Sequence, residues 1–228
     1  MRIAISQPRY LPAINYIQRI ILSDVFVLLD CVQHQPRAFE HRNRIKTSNG
    51  PVWLSIPLQR TDSRMIIKNI KVRDLKWKER HIKTIKAFYK RSPFYDEDLL
   101  EALYNFDYMH LTDIAEYMLK MIINYLEIER PIIRSSSLGL KEVHDKKLAE
   151  IVKVLGGDTY ISGPNGRNYI NINNFQGIRI LYHDFHYPTY DQLWGDFIPW
   201  MAFVDVLFNV GLREFKKVIG DNYELNKD

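Results

Sequence analysis

The chain has 228 residues, of which 46% are hydrophobic and 13% aromatic, and its net charge at pH 7 is +5. This length suits one domain with a sizeable core, and the mild, mixed charge falls short of the clustered positive charge of a nucleic-acid-binding protein. The one cysteine, Cys31, excludes an intrachain disulfide and a multi-cysteine metal site. Neither a membrane span nor the apolar core of a signal peptide is visible, so a cytoplasmic location is expected.

The N-terminal segment predicts a βαβ unit. Residues 2–6 read as a short apolar strand, residues 10–23 carry apolar side chains at helical spacing, and residues 25–29 form a continuous apolar run typical of a buried parallel strand. Such units place ligands at the carboxyl ends of their strands, which here are Gln7-Pro8 and Asp30-Cys31.

A dense polar stretch follows the second strand and leads into a predicted β-hairpin. Ser48-Asn49-Gly50 is a turn signal between the strand-like segments RNRIKT and PVWLSIP. Alternation along the first of these strands places Arg42, Arg44 and Lys46 on one face. Three cations on one face suit an anionic ligand such as a diphosphate, and an exposed basic strand is the alternative interpretation.

The rest of the chain is predicted to be a helical insertion followed by a return to the sheet. Strands are predicted at 66–72, 132–133, 159–161 and 178–182, and helices at 77–89, 97–104, 111–126, 141–155 and 197–211. We therefore expect an α/β fold with a mainly parallel sheet. Its core is expected to comprise residues 1–75 and 130–228 of a single domain, with residues 76–128 as the helical insertion.

A second polar loop, with the sequence SGPNGRNY, follows the predicted strand at 159–161. Glycine-rich turns after a strand let backbone amides approach an anion, although the spacing is not that of a P-loop. Because strand ends converge in open α/β sheets, we expect five residues to lie around one cleft: Gln7, Asp30, His41, Arg44 and Arg167.

The order of elements resembles that of the HIGH-type nucleotidyltransferases and pantothenate synthetases. Pro12 and Asn15 stand where those families have catalytic histidines. The resemblance therefore bears on the fold alone.

A more specific resemblance is carried by segments spread through nearly the whole chain. They are QPRYLP at 7–12, SDVFVLLDCVQ at 23–33, HRNRIKTSNGPVWLSIP at 41–57, YISGPNGRNYI at 160–170 and YDQLWGDF with VDVLFNVG at 190–211. Together they resemble the WbqC-like family of bacterial O-antigen, lipopolysaccharide and other surface-glycan gene clusters. The resemblance implies transfer of an acyl or aminoacyl group to an aminosugar. Family members often have Asp at the position of Cys31 and Tyr at that of His34, which argues against Cys31 as a shared nucleophile.

Two classes of function stay open. The first is an N-acyltransferase or aminoacyltransferase acting on the amine of a nucleotide-linked aminodeoxysugar. His41, which titrates near neutrality, would be the base, with Asp30 orienting it, while amides near Gly163 and Gly166 would stabilise the oxyanion. The donor is open among a coenzyme A thioester, an acyl-carrier-protein thioester and an aminoacyl adenylate. The second class is a non-catalytic sugar-nucleotide-binding or scaffold protein, which needs the same phosphate clamp.

The remaining candidates for contact with the sugar nucleotide are polar or aromatic residues of the same segments. They are Gln7, Tyr10, Gln33, Asn43, Ser162, Arg167, Tyr169, Tyr190 and Gln192. Salt bridges and simple packing are the alternatives for the arginines and tyrosines, and Asp205 and Asn209 are expected to cap a loop. No metal site is expected, because His183 and His186 do not share a face of an extended segment. The oligomeric state is left open.

Overall fold

A six-stranded sheet forms the centre of the protein in a computed structural model that describes residues 1–60 and 64–227. Its strands are β1 (Arg2–Ser6), β2 (Val25–Leu28), β5 (Ile132–Arg134), β6 (Thr159–Ser162), β7 (Arg179–Phe185) and β8 (Tyr223–Asn226). They lie in the order β5-β2-β1-β6-β7-β8, and every pair is parallel except β7 with β8. The predicted α/β class and the βαβ start are therefore confirmed.

Helices and a separate hairpin complete the fold. The helices are α1 (Ile14–Leu22), α2 (Trp77–Tyr89), α3 (Glu97–Tyr104), α4 (Leu111–Tyr125), α5 (His144–Val154) and α6 (Phe203–Asp221), and the hairpin is β3 (Arg42–Thr47) with β4 (Gly50–Ser55). The predicted hairpin forms around Ser48-Asn49, with Thr47 paired to Gly50, which has φ +95°. Only glycine adopts such a φ without strain, which is why the turn signal was readable.

Both faces of the sheet are covered, which explains its continuous apolar strands. Ile3 and Ile5 of β1 pack with α5 residues, whereas Ala4 packs between α1 and α4. A further core cluster joins α1, the hairpin and α2, α3, α4 and α6. No helix within the described part of the chain is long and apolar enough to cross a membrane.

Three predictions about elements need correction. Residues 66–72 do not form a strand: Ile67–Asn69 is a 3₁₀ turn, and the amides of Ile67 and Lys68 bond to loop carbonyls of Val32 and Asp30. The buried isoleucines that suggested a strand fill the core without a neighbouring strand to pair with. The last helix begins at Phe203 rather than at 197 and continues past Gly211, which kinks it at φ +78°. Strand β8 was not predicted.

Candidate functional site

A cleft of about 810 Å³ opens at the carboxyl edge of the parallel strands. Gln7 lines it from the end of β1, Leu29 from β2, Gly163 from β6 and Phe185 from β7. The connections from β1 and β6 run in opposite directions across the sheet, so this is the topological switch point at which open α/β sheets bind ligands. The volume is that of a typical small-molecule site.

Two arginines in this cleft lack an acidic partner. The guanidinium groups of Arg9 and Arg19 lie 5.5 and 5.6 Å from the ring centroid of Tyr16, and Arg19 is only 7% exposed. Burial and the neighbouring Arg19 lower the pKa of Arg9 to about 10, and burial lowers that of Arg19. Within the described residues neither forms an ion pair, although the charge of Glu40 acts on Arg9. An unpaired buried cation is costly, so the pair forms a natural anion site.

The local sequence explains how Arg19 reaches the cleft. It projects from α1, where its Nη2 donates to Ser6 Oγ at the end of β1 (3.2 Å). A Cβ on Gly163 would lie 3.1 Å from Arg19 Nη1, so the glycine lets the guanidinium approach the loop after β6. The carboxylate that lines the cleft, Asp145, is already occupied by the Asn171 amide and Asn174 Nδ2. Within the described residues it forms no ion pair with either arginine.

His183 supplies a buried imidazole to the same cleft. Gln18 Nε2 donates to the Ile219 carbonyl (2.7 Å), so Gln18 Oε1 must accept from His183 Nε2–H (2.6 Å). This leaves Nδ1 as the unprotonated nitrogen. Burial, with a smaller effect from Arg19, lowers the pKa of His183 to about 4. The ring is thus a neutral, oriented proton acceptor at pH 7.

Two exposed aromatic rings complete the lining. Tyr169 is 58% exposed and Trp200 is 41% exposed. Trp200 has φ +65°, a conformation that is unfavourable for a bulky residue and concentrates at functional sites. Its ring packs against Tyr187 at 4.7 Å. Such surfaces suit stacking on a planar base or a sugar ring.

The relationship to known proteins follows from comparison of the whole chain. The model of the WbqC-like protein family matches residues 7–217. The chain belongs to that family. This WbqC-like protein is also 30% identical over 217 residues to the uncharacterized protein Rv1507c of Mycobacterium tuberculosis (strain ATCC 25618 / H37Rv), covering 92% of this chain and 94% of the relative. No solved structure matches it.

Five residues were expected around one cleft. Of these, only Gln7 lines the cleft at the carboxyl edge of the sheet. Asp30 is completely buried and caps the 3₁₀ turn Ser135–Ser137, with both carboxylate oxygens accepting bonds from that turn. Arg167 forms a bidentate pair with Asp184 at 2.8 and 2.7 Å. The side chains of both residues are therefore engaged within the protein, and for Arg167 the contact is the salt bridge that was considered as the alternative.

The cationic face of the hairpin also lies outside the cleft lining. Arg42 and Arg44 lie 4.3 and 5.6 Å from the ring centroid of Trp53. Lys46 is 1% exposed, and its ammonium donates to the carbonyls of Gly195 and Asp196. Contacts with Trp53 and bonds to distant carbonyls thus already engage these cations, and their role in binding an anion stays a prediction.

The other residues predicted to contact the ligand divide between the cleft lining and positions elsewhere in the fold. Gly163, Gly166 and Tyr169 line the cleft. The remaining residues make internal contacts: Tyr10 with His81 and Tyr104, Gln33 with Ile66, Asn43 with the Leu11 carbonyl, Ser162 with the Gly163 carbonyl, and Tyr190 and Gln192 with Asp205. Asp205 also accepts from Tyr89, and Asn209 accepts from the Leu193 amide, so both tie down neighbouring segments as expected.

Sequence reasoning did not weigh Arg9, Arg19 or His183 as cleft residues. The signal for Arg19 was that it is the one charged residue of helix α1 and stands next to the apolar Ile20. Such a residue is buried only when something offsets its charge.

A polar cluster lies just before the hairpin and was also missed. It comprises His34, Glu40 and His41, whose ligand-type atoms lie within 4.8 Å of one another. His34 Nδ1 contacts Glu40 Oε2. Burial, His34 and Arg42 together lower the pKa of His41 to about 4. His41 therefore does not titrate near neutrality, which was the reason for choosing it as an acid or base.

Proposed function

We propose that the protein transfers an acyl or aminoacyl group to the amine of a nucleotide-linked aminodeoxysugar in bacterial surface-glycan biosynthesis. The observation that carries the proposal is the pair of guanidinium groups of Arg9, partly buried, and Arg19, buried, in the switch-point cleft, neither of which forms an ion pair within the described residues. The family resemblance supplies the class of substrate, and the cleft supplies a site of suitable size and charge.

The diphosphate of a sugar nucleotide would bind between these arginines. Guanidinium groups make charge-assisted, bidentate hydrogen bonds to phosphate oxygens. Binding would also relieve the unfavourable burial of two like charges that share the Tyr16 ring. Tyr169 and Trp200, exposed beside the cleft, would stack on the nucleobase or the sugar.

His183 is proposed as the group that accepts the proton from the sugar's ammonium, in place of His41. Its Nε2–H is fixed by Gln18, so Nδ1 can only accept. In the free protein its pKa of about 4 makes it a weak base, and Arg19 contributes to that low value. A diphosphate bound at Arg19 would offset the arginine's charge and so remove the smaller of the two causes that lower the imidazole pKa, which makes the ring a stronger base.

A non-catalytic role in binding the same sugar nucleotide is the second candidate. The low pKa of His183 favours it, because a base this weak removes an ammonium proton poorly. The thiol of Cys31 lies outside the cleft lining, where Ser135 Oγ donates to its Sγ and Lys147 Nζ lies 3.7 Å from it, so neither candidate function assigns it a role in the cleft. Both candidate functions require the arginine pair to bind the phosphates. They differ because only the transferase forms a product.

The experiment is a two-stage assay. Calorimetry compares an amino-sugar nucleotide, the corresponding hydroxy-sugar nucleotide and the free amino sugar; the two nucleotides should bind and the free sugar should not. Mass spectrometry then follows the amino-sugar nucleotide with coenzyme A thioesters, carrier-protein thioesters and aminoacyl adenylates. An N-acylated product supports the transferase, tight binding without product supports the binding protein, and no binding of any nucleotide contradicts both.

A further inference from the structure

His34, Glu40 and His41 combine ligand chemistry with burial, which is nearly complete for the first two and partial for His41. His34 is 4% exposed and Glu40 is 1% exposed. Glu40 Oε1 and His41 Nδ1 are buried without a hydrogen-bond partner. Buried carboxylate oxygens and ring nitrogens are almost always bonded, so two such atoms in one cluster indicate a missing partner.

The backbone holds these residues in place on three sides. The His34 amide donates to the Met65 carbonyl (2.8 Å), and the His41 carbonyl accepts from the Ile56 amide (2.8 Å). Between them, the Phe39 carbonyl accepts from the Tyr10 amide (3.0 Å). The three side chains thus converge from a loop that is anchored to its neighbours, as a preorganised site requires.

We propose that His34, Glu40 and His41 bind a divalent transition-metal ion of the zinc class. Two imidazoles and one carboxylate are a ligand set of catalytic zinc sites and of two-histidine, one-carboxylate iron sites, whereas calcium and magnesium prefer oxygen ligands alone. The ion would satisfy both Glu40 Oε1 and His41 Nδ1. Three protein ligands would leave a coordination position for water or a substrate oxygen.

The geometry needs only a small adjustment. Metal–ligand bonds of about 2.0–2.2 Å hold tetrahedral ligand atoms roughly 3.4 Å apart. The three atoms lie within 4.8 Å of one another, so the widest pair must close by at most about 1.4 Å. Rotation of the side chains covers such a distance without moving the anchored backbone.

The proposed ion would lie near the cleft. The metal proposal is nevertheless independent of the proposed function. Arg9 lines the cleft, and its charge acts on Glu40. Val32 and Gln35 of the same loop also line the cleft. The competing explanation is a metal-free polar cluster in which the His34–Glu40 pair only stabilises the loop.

Metal binding by the full chain tests the proposal directly. The protein is stripped with a chelator and titrated with Zn²⁺ against a chromogenic competitor, and with Co²⁺ while visible absorption is recorded. We expect one tight equivalent and the visible bands of a low-coordinate cobalt site. Glu40→Gln and His41→Gln should each weaken Zn²⁺ binding by more than roughly 100-fold, since even outer-sphere partners contribute about 10–100-fold.

His186→Gln is the matched control. His186 also faces a glutamate, Glu224 at 3.4 Å, but this pair is exposed and lies outside the cluster. The His186→Gln variant should bind Zn²⁺ with the same affinity as the wild type. Absence of a stoichiometric site in the wild type, or equal affinity in the cluster variants and the control, overturns the proposal. If a cluster variant does not fold, the proposal is tested on the wild type alone. The wild type must then bind one equivalent of Zn²⁺, and Zn²⁺ must raise its melting temperature.

Discussion

Replacing Arg19 by methionine should weaken ligand binding with little change in the stability of the protein. Arg19 Nη2 already donates to Ser6 Oγ, and Nη1 lies beside the loop at Gly163. The guanidinium could therefore donate one or two charge-assisted hydrogen bonds to a bound phosphate. Each such bond contributes about 1.5–3 kcal/mol. Loss of about 3 kcal/mol corresponds to a decrease in affinity of roughly 100-fold.

The stability of the free protein should change little, because two opposing contributions nearly cancel. Replacing buried ionic groups by an apolar side chain of similar size is often neutral or stabilising by about 1–4 kcal/mol. Against this stand the bond to Ser6, about 0.5–1.5 kcal/mol, and the contact with Tyr16, about 1–2 kcal/mol. We expect a net change within about 2 kcal/mol of zero.

Calorimetry with a sugar nucleotide and urea unfolding of the free protein measure the two effects. Arg167→Met is the control, because Arg167 pairs with Asp184 on a partly exposed surface. It should lose less than about 1 kcal/mol of stability and keep full affinity. Unchanged affinity in Arg19→Met, together with a loss of more than about 2 kcal/mol in stability, would show that the arginine is structural and refute the anion site.

Three further predictions concern other buried groups. His183→Gln should retain sugar-nucleotide binding in calorimetry but lower turnover by roughly 10²–10⁴-fold in steady-state kinetics; unchanged turnover would exclude it as the base. His81 and His183 have pKa values lowered to about 4, chiefly by burial and secondarily by Arg80 and Arg19 respectively, while Asp184 slightly opposes the shift at His183. The unfolded state therefore binds more protons between about pH 4 and 6.5, so the free energy of unfolding should fall by about 3 kcal/mol per histidine as the pH decreases through that window. When the free energy of unfolding, measured with urea, is plotted against pH, His183→Gln should show a shallower dependence than the wild type. A wild-type free energy that does not change with pH would contradict the prediction. Finally, Asp205→Ala removes the acceptor of the Tyr89 and Tyr190 hydroxyls, whereas Gln192 Nε2 keeps its bonds to Tyr190 and the Ile198 carbonyl. It should cost about 3–5 kcal/mol in urea unfolding, with Asp205→Asn costing less; a loss below about 1 kcal/mol in Asp205→Ala would show that the network does not stabilise the fold.

The elements that the sequence by itself determined are those with local causes. The βαβ start follows from apolar runs separated by a helical repeat, and the hairpin follows from Asn49-Gly50 between alternating strands. Helix α4 was readable because its apolar stripe is uninterrupted. Residues 66–72 were misread because the same buried isoleucines serve a strand or a 3₁₀ turn equally well, and neighbouring loops decide between them.

The state of each charged side chain was decided by tertiary structure. Arg167 and Lys46 look like phosphate ligands in the sequence, but Asp184 and the carbonyls of distant residues already engage them. Arg19 attracts no notice in its helix, yet the fold brings it to Ser6 and Gly163 and gives it no carboxylate. Whether a charge is neutralised depends on partners that are remote along the chain, because burial and pairing arise only when the elements pack.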